Sequence, residues 1–505
     1  MKRRNDDLLD DMGNRVKQRA EEEILFVVRW FILMDIGDFK MALFYRLRKA
    51  SRAIDEIKEE YFYFSSPENL NDPMEWYVNL FWRGDIVVWK NLFRHYLLCL
   101  DFAIFQHHLG IHFSVDEIVL KIHSITELPE RRDFILGVVD RIFDDADISS
   151  FIQSISARKS KIYDDELSFY LDIFKDYAVG ELVKSYKIHN AGNVPENKLT
   201  ENFNRIYKKL QEDGFFCNIN KYGAEGEPTE KSVRMLFMVR SAFSQPTPQS
   251  TYGDTDNPNN SLDINMLNFS SLYIKSMKML LFPKWSVVSF MKEFSNPTVW
   301  GHYGDGHRGV CMVFESQNVE AIECLRVWKP ISCNGGDGGY QYGYRESGLR
   351  SVKYVKKLPE IDFFSYIGMI PIPQLMNNWY IFKGERSPFA DNLSGMNRDT
   401  RHKGQWDAFE QKTLSKLEAW NYEKESRLVY DDLFKPIEQD GRKIKFDISQ
   451  LKGVIFGFDT AMVDKITIRK IVKEKNESAN GTLIDIYQAY YDHEIGSIKH
   501  FKLPA

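Results

Sequence analysis

The chain has 505 residues, which at about 150 residues per folding unit predicts three or four units or one elaborated domain. Lys and Arg number 67 against 72 Asp and Glu, a formal charge of -5, so no basic excess supports a purely electrostatic grip on nucleic acid, and histone-like or tail-type binding is excluded. With 43% hydrophobic residues and only 30 Gly and 17 Pro, the chain is globular, not collagenous, mostly disordered or of low complexity.

Residues 7–35 carry spaced apolar positions and stop near Gly37, which predicts one or two N-terminal helices. Their most apolar stretch, 24–34, has eleven residues including Arg29, whereas a bilayer span needs about twenty apolar residues, so a core helix is expected and no membrane partner. Met1-Lys-Arg-Arg-Asn-Asp-Asp lacks the apolar core of a secretory leader. Five scattered cysteines fit neither a disulfide framework nor a paired-cysteine metal site, so a reducing cytoplasm is expected.

Alternation in Met41-Ala-Leu-Phe-Tyr-Arg-Leu-Arg48 predicts a short strand with Arg46 and Arg48 on one face. A charged helix through Glu60, an aromatic strand at Tyr61-Phe-Tyr-Phe64 and a turn-rich stretch ending at Asn71-Asp72-Pro73 follow. From about 85 to 213 the apolar period changes to 3.6, with pairs such as Val138 and Ile142 or Phe203 and Tyr207, and reads as a helical insertion. It ends in the polar, Pro-rich tract 244–260; a second such tract is Asn334-Gly-Gly-Asp-Gly-Gly339. Strands return at 285–290, 309–314, 427–430 and 453–457. The expected fold is α+β, with an N-terminal helical segment at 1–40, a mixed, largely antiparallel β core from 41–84 and 262–505, and the helical insertion at 85–261.

Gly304-Asp-Gly-His-Arg-Gly309 matches a dinucleotide-binding spacing but opens a strand instead of a helix, so the glycines are read as turn formers. Around them, Trp300-Gly-His-Tyr303 with His307 and Arg308 crowds polar rings into nine residues. They form a site candidate, or else Trp300 and Tyr303 are core aromatics, His302 meets a buried carbonyl and His307 faces water. Glu423, Glu425 and Arg427 share one face if their segment is extended, at about 6.5 to 7 Å spacing. Two such carboxylates could divide duties, one paired with Arg427 and the other meeting a sugar hydroxyl or developing cation, or they could be solvated charges on an edge strand. Arg46 and Arg48 could fork onto phosphate or clamp a carboxylate such as Asp72, while Asn71-Asp72-Pro73 is most simply an Asx-type turn. His107, His108 and His112 lack metal-ligand spacing, so no metal is predicted.

In order, Phe44-Tyr45-Arg46, Tyr63-Phe-Ser-Ser-Pro-Glu-Asn-Leu-Asn-Asp-Pro73, Ser289-Phe, Trp300-Gly-His-Tyr303, His307-Arg-Gly-Val310, Val352-Lys-Tyr354, Trp420-Asn-Tyr-Glu-Lys-Glu-Ser-Arg427 and Leu451-Lys-Gly-Val-Ile-Phe-Gly457 resemble a bacterial family known as domain of unknown function 2971. The resemblance covers roughly residues 41–82 and 270–495, and Ser426 departs from it where a large aromatic is expected. Motif order is also similar to the ADP-ribosyltransferase-like class, with an early basic strand residue, a middle Ser and a late E-x-E strand.

That resemblance implies cleavage of the nicotinamide–ribose bond of NAD, with ADP-ribose passed to a protein or nucleic-acid acceptor or to water, in a setting such as bacterial phage defence by abortive infection. Glu425 would stabilise the oxocarbenium-like sugar and Glu423 would orient the acceptor. Tyr45, Arg46, Ser289, Trp300 and Arg427 would hold the nucleotide, with Arg46 on phosphate and Ser289 supporting the Glu, while His302 or Tyr303 would position the ribose or stack on nicotinamide. The competing expectations are an effector that cuts or modifies nucleic acid and a non-catalytic sensor or scaffold, in which His302, Glu423 and Arg427 form a buried structural network.

Overall fold

The computed structural model describes residues 41–75, 77–108, 115–122, 129–186, 196–223, 232–239, 268–333, 339–391, 398–431, 439–478 and 483–504. The helices expected over 7–35, the tract 244–260 and all but the last residue of 334–339 lie outside the described residues. The fold is α+β, with antiparallel pairing dominant, and divides into two compact units.

The first unit joins residues 41–60, 290–349 and 445–504. Its sheet runs Ser497–Lys502, Asp485–Asp492, Leu451–Phe456, Val310–Glu315, Leu43–Arg48, antiparallel throughout except between Leu451–Phe456 and Asp485–Asp492. Val310 to Phe314 are all buried, the continuous apolar run of a central strand. Helix Ala50–Glu59 buries Ala53 and Ile57 four residues apart, and helix Met462–Ser478, which packs against it, buries Ile468 and Val472 at the same spacing.

The Gly-rich segment behaves as a turn. Helix Pro297–Tyr303, capped by the Asn296 side chain, ends at Gly304, and Asp305, Gly306 and His307 then take φ of 53°, 61° and 65° before the strand at Val310. Gly309 is required by contact: a Cβ there would lie 2.2 Å from the Arg48 carbonyl oxygen.

The second unit joins residues 61–289 and 350–444. Its helices, among them Ile86–His108, Ala146–Ser156 and Asp164–Tyr186, share one core with Ile361, Phe363, Trp379 and Phe409, so contacts divide the chain differently from the boundaries 41–84, 85–261 and 262–505. Beside this core, strand Glu425–Asp431 lies between Trp285–Met291, whose last two residues fall in the first unit, and Arg350–Ser351. Strand Ser415–Leu417 runs parallel to Lys353–Val355, setting Lys416 beside Tyr354. Among the described residues no helix is long and apolar enough to cross a membrane, and Cys99, Cys217, Cys311 and Cys324 are free thiols.

Candidate functional site

A dense charge cluster lies inside the second unit. Glu425 and Arg427 are two apart on one strand and therefore share a face. Arg427 Nε donates to Glu425 Oε1 at 2.7 Å and Nη2 to Oε2 at 2.9 Å, while Nη1 donates to the Thr413 carbonyl at 2.8 Å and Nη2 also reaches Glu75. Lys416 Nζ stands 2.6 Å from Glu423 Oε2, 3.0 Å from Glu75 Oε1 and 3.2 Å from Glu425 Oε2. Ser289 adds a side-chain hydrogen bond to Glu425, and the Glu425 N–H donates to the Tyr354 hydroxyl at 2.8 Å. All five charged residues are at most 4% exposed.

This environment fixes protonation. Burial raises the Glu425 pKa, but Arg427 and Lys416 outweigh it and hold the carboxyl down at about 2. The Arg427 guanidinium, though buried, is driven up by Glu425 and Glu75 and stays charged. Lys412, which donates to the Glu75 carbonyl at 2.5 Å, is pushed down to about 7 by burial.

Four of the sequence-predicted residues thus come together: Ser289, Glu423, Glu425 and Arg427. Two expectations are corrected. Glu423 is not on the extended strand: it ends the 3-10 turn Glu418–Glu423, and Lys424 at φ 45° reverses the chain before Glu425, so its carboxylate arrives through Lys416. The strand's charges are not solvated; they are buried. Glu75 and Lys416 were not anticipated. The signal for Glu75 lay next to the predicted Asx turn, which forms with the Met74 N–H donating to Asp72 Oδ1 at 2.9 Å and leads directly into turn Pro73–Glu75.

Tyr45, Arg46, Trp300, His302 and Tyr303 belong to the first unit. Arg46 and Arg48 do share a face, but their partner is Glu56, not Asp72: Arg46 Nε lies 3.3 Å from Glu56 Oε2 and Arg48 Nε 2.8 Å from Oε1. Arg46 also lies 5.7 Å over the Phe290 ring, and burial with the neighbouring Arg48 charge pushes its pKa down to about 10. Tyr45 packs on Phe294 at 4.9 Å, and the buried Trp300 donates from Nε1 to the Phe294 carbonyl at 2.7 Å, the core role weighed for it. His302 is exposed and Tyr303 half-buried at the helix end. His307 is half-buried, stacking nearly parallel between Trp300 and Phe458, 6.3 and 4.8 Å away. The side chains of His107, His108 and His112 lie outside the described residues, and among those described no group of His, Cys, Asp or Glu could hold a metal.

Fold and site together define an α+β protein whose E-x-E segment is tied into a buried carboxylate–guanidinium–ammonium cluster. Residues 299–428 match the model of the family described as Protein of unknown function (DUF2971), so this segment of the chain is similar to the family its ordered motifs resemble. The match includes Trp300, His302, Tyr303, Glu423, Glu425 and Arg427 and leaves Tyr45, Arg46 and Ser289 outside. Comparison with curated proteins and with solved structures gives no match.

Proposed function

We propose that the protein consumes NAD, breaking the nicotinamide–ribose bond and passing ADP-ribose to an acceptor or to water; the setting we attach to it, from family resemblance, is a bacterial defence effector. The observation that supports the reading is the Glu425 carboxylate, kept ionised by Arg427 and Lys416 and hydrogen-bonded by Ser289. Bond cleavage sends the electron pair out with nicotinamide and leaves positive charge on the ribose, which a fixed anion in a low-dielectric site stabilises. The acceptor oxygen then bonds to the ribose carbon and loses its proton. At 3.2 Å, the Lys416–Glu425 contact is longer than either Arg427–Glu425 bond, so it is the one a ribose hydroxyl would replace. Glu423, held by the same lysine, would orient the acceptor.

A second reading has its own observation. Glu423, Glu425 and Arg427 are 1%, 4% and 1% exposed and every oxygen of Glu425 is engaged, as in a non-catalytic structural network. Nicotinamide release from NAD, measured with wild type and Glu425→Gln, separates the two. Turnover lost in the variant with its fold retained supports NAD cleavage. No turnover in wild type, or equal turnover in both, refutes it.

A further inference from the structure

A cavity of about 310 Å³ opens within the second unit, at the lower end of the roughly 300–1,000 Å³ typical of small-molecule sites. Its polar lining is made of donors: Lys278, Lys284, Lys412 and Arg442, with Ser66 and Ser286, against one acidic residue, the exposed Glu68. Two of these groups have hydrogen-bonding capacity to spare. The Ser286 hydroxyl, on a residue 3% exposed, has no hydrogen-bond partner among the described residues. Ser66 Oγ accepts from Arg442 Nη1 and from Asn69 Nδ2, each at 3.0 Å, which fills its acceptor positions and leaves its own O–H to donate. A buried donor without an acceptor is costly, so both hydroxyls call for an acceptor-rich guest. The remaining wall is apolar, with Phe282, Pro283 and Trp285.

We propose that this cavity binds a phosphate-bearing nucleotide of the nucleoside diphosphate class, its phosphates on the Ser66, Ser286, Lys412 and Arg442 side and its base against the apolar wall. Phosphate oxygens accept only, and they match a lining in which four basic side chains outnumber the single carboxylate. An amine would meet those side chains with further donors, and a neutral sugar would bring no charge to them. The site takes over the phosphate role expected of Arg46, which is closed by Glu56. Binding requires no chemistry at Glu425, so the inference stands or falls apart from NAD cleavage.

The test is isothermal titration of the full chain with ADP, which has no nicotinamide bond, and competition by inorganic pyrophosphate. ADP is expected to bind, pyrophosphate to displace it, and Lys284→Ala and Ser286→Ala each to weaken ADP about five- to tenfold with the unfolding midpoint unchanged. Absence of ADP binding up to millimolar concentration, failure of pyrophosphate to compete, or an ADP affinity unaltered in both variants overturns the assignment.

Discussion

Replacing Arg427 by Met should be among the most damaging substitutions in the second unit. The guanidinium serves both oxygens of Glu425, one oxygen of Glu75 and the Thr413 carbonyl, and it is 1% exposed. Without it, the three buried carboxylates would still face Lys416 but lose this guanidinium, and the Thr413 carbonyl would lose this donor. Removing one partner of a buried ion pair costs about 3–5 kcal/mol, because the surviving charge is left desolvated. Glu425→Gln makes the informative contrast. It removes one negative charge from a cluster of three carboxylates and two cations, and the amide oxygen still accepts from Arg427 while its NH2 meets a donor, so its cost should be about 3 kcal/mol, what the fall of the pKa from 4.5 to about 2 is worth, and below that of Arg427→Met. Arg427→Lys should fall between, because an ammonium keeps the charge but lacks the planar fork. Urea unfolding followed by tryptophan fluorescence measures all three. If Arg427→Met unfolds within about 1 kcal/mol of wild type, or Glu425→Gln is the more damaging, the cluster does not hold the unit together as described.

Acid should act through the same carboxylate. Glu425 has a folded pKa of about 2 against an ordinary 4.5, so its contribution is fully present above about pH 4.5 and is lost as pH falls toward 2. Stability measured from pH 6 to pH 3 should therefore decline less steeply in Glu425→Gln than in wild type, and identical slopes would contradict the assignment. A backbone prediction is independent of charge. Gly309→Ala should destabilise by about 3 kcal/mol or more, since its Cβ would meet the Arg48 and Gly304 carbonyl oxygens at 2.2 and 2.9 Å, while Gly301→Ala, mid-helix with nothing within 4 Å, should be neutral or stabilising by up to about 1 kcal/mol. Comparable melting temperatures for the two variants would show that the backbone at Gly309 yields freely.

Elements were legible where one local rule decided them. The strands at 285–290, 309–314 and 453–457 appear within two residues of their expected bounds, because an apolar run between turn formers leaves the chain few alternatives. The pairing of Glu425 with Arg427 was readable for a similar reason, since alternation on a strand forces adjacency. Glu423 was misplaced because nothing in Glu-Lys-Glu announces a left-handed Lys424, an uncommon conformation for a non-glycine residue. Glu75 was invisible for a different reason. It meets Arg427 across 352 residues of sequence, and only the packing of the turn Pro73–Glu75 near strand Ser415–Leu417 brings them together. The Arg46 partner was missed in the opposite way, by looking to a distant Asp72 when Glu56 lay ten residues on, in the next helix.

Glu75, Glu423 and Glu425 face Lys416 and Arg427 in a nearly dry environment. Lys412 is the adjacent cation, bonded to the Glu75 carbonyl and at the same time lining the donor-rich cavity. Glu75 draws its proton on, while burial, Arg427 and Lys278 push it off, and the outcome near 7 leaves the ammonium poised between states. An anion in the cavity would tip that balance by favouring the charged amine, and by linkage a protonated Lys412 would hold the anion more tightly. The carboxylate cluster and the proposed nucleotide site therefore meet at one nitrogen, and whatever binds in the cavity is felt electrostatically at Glu75 and, through Arg427, at Glu425.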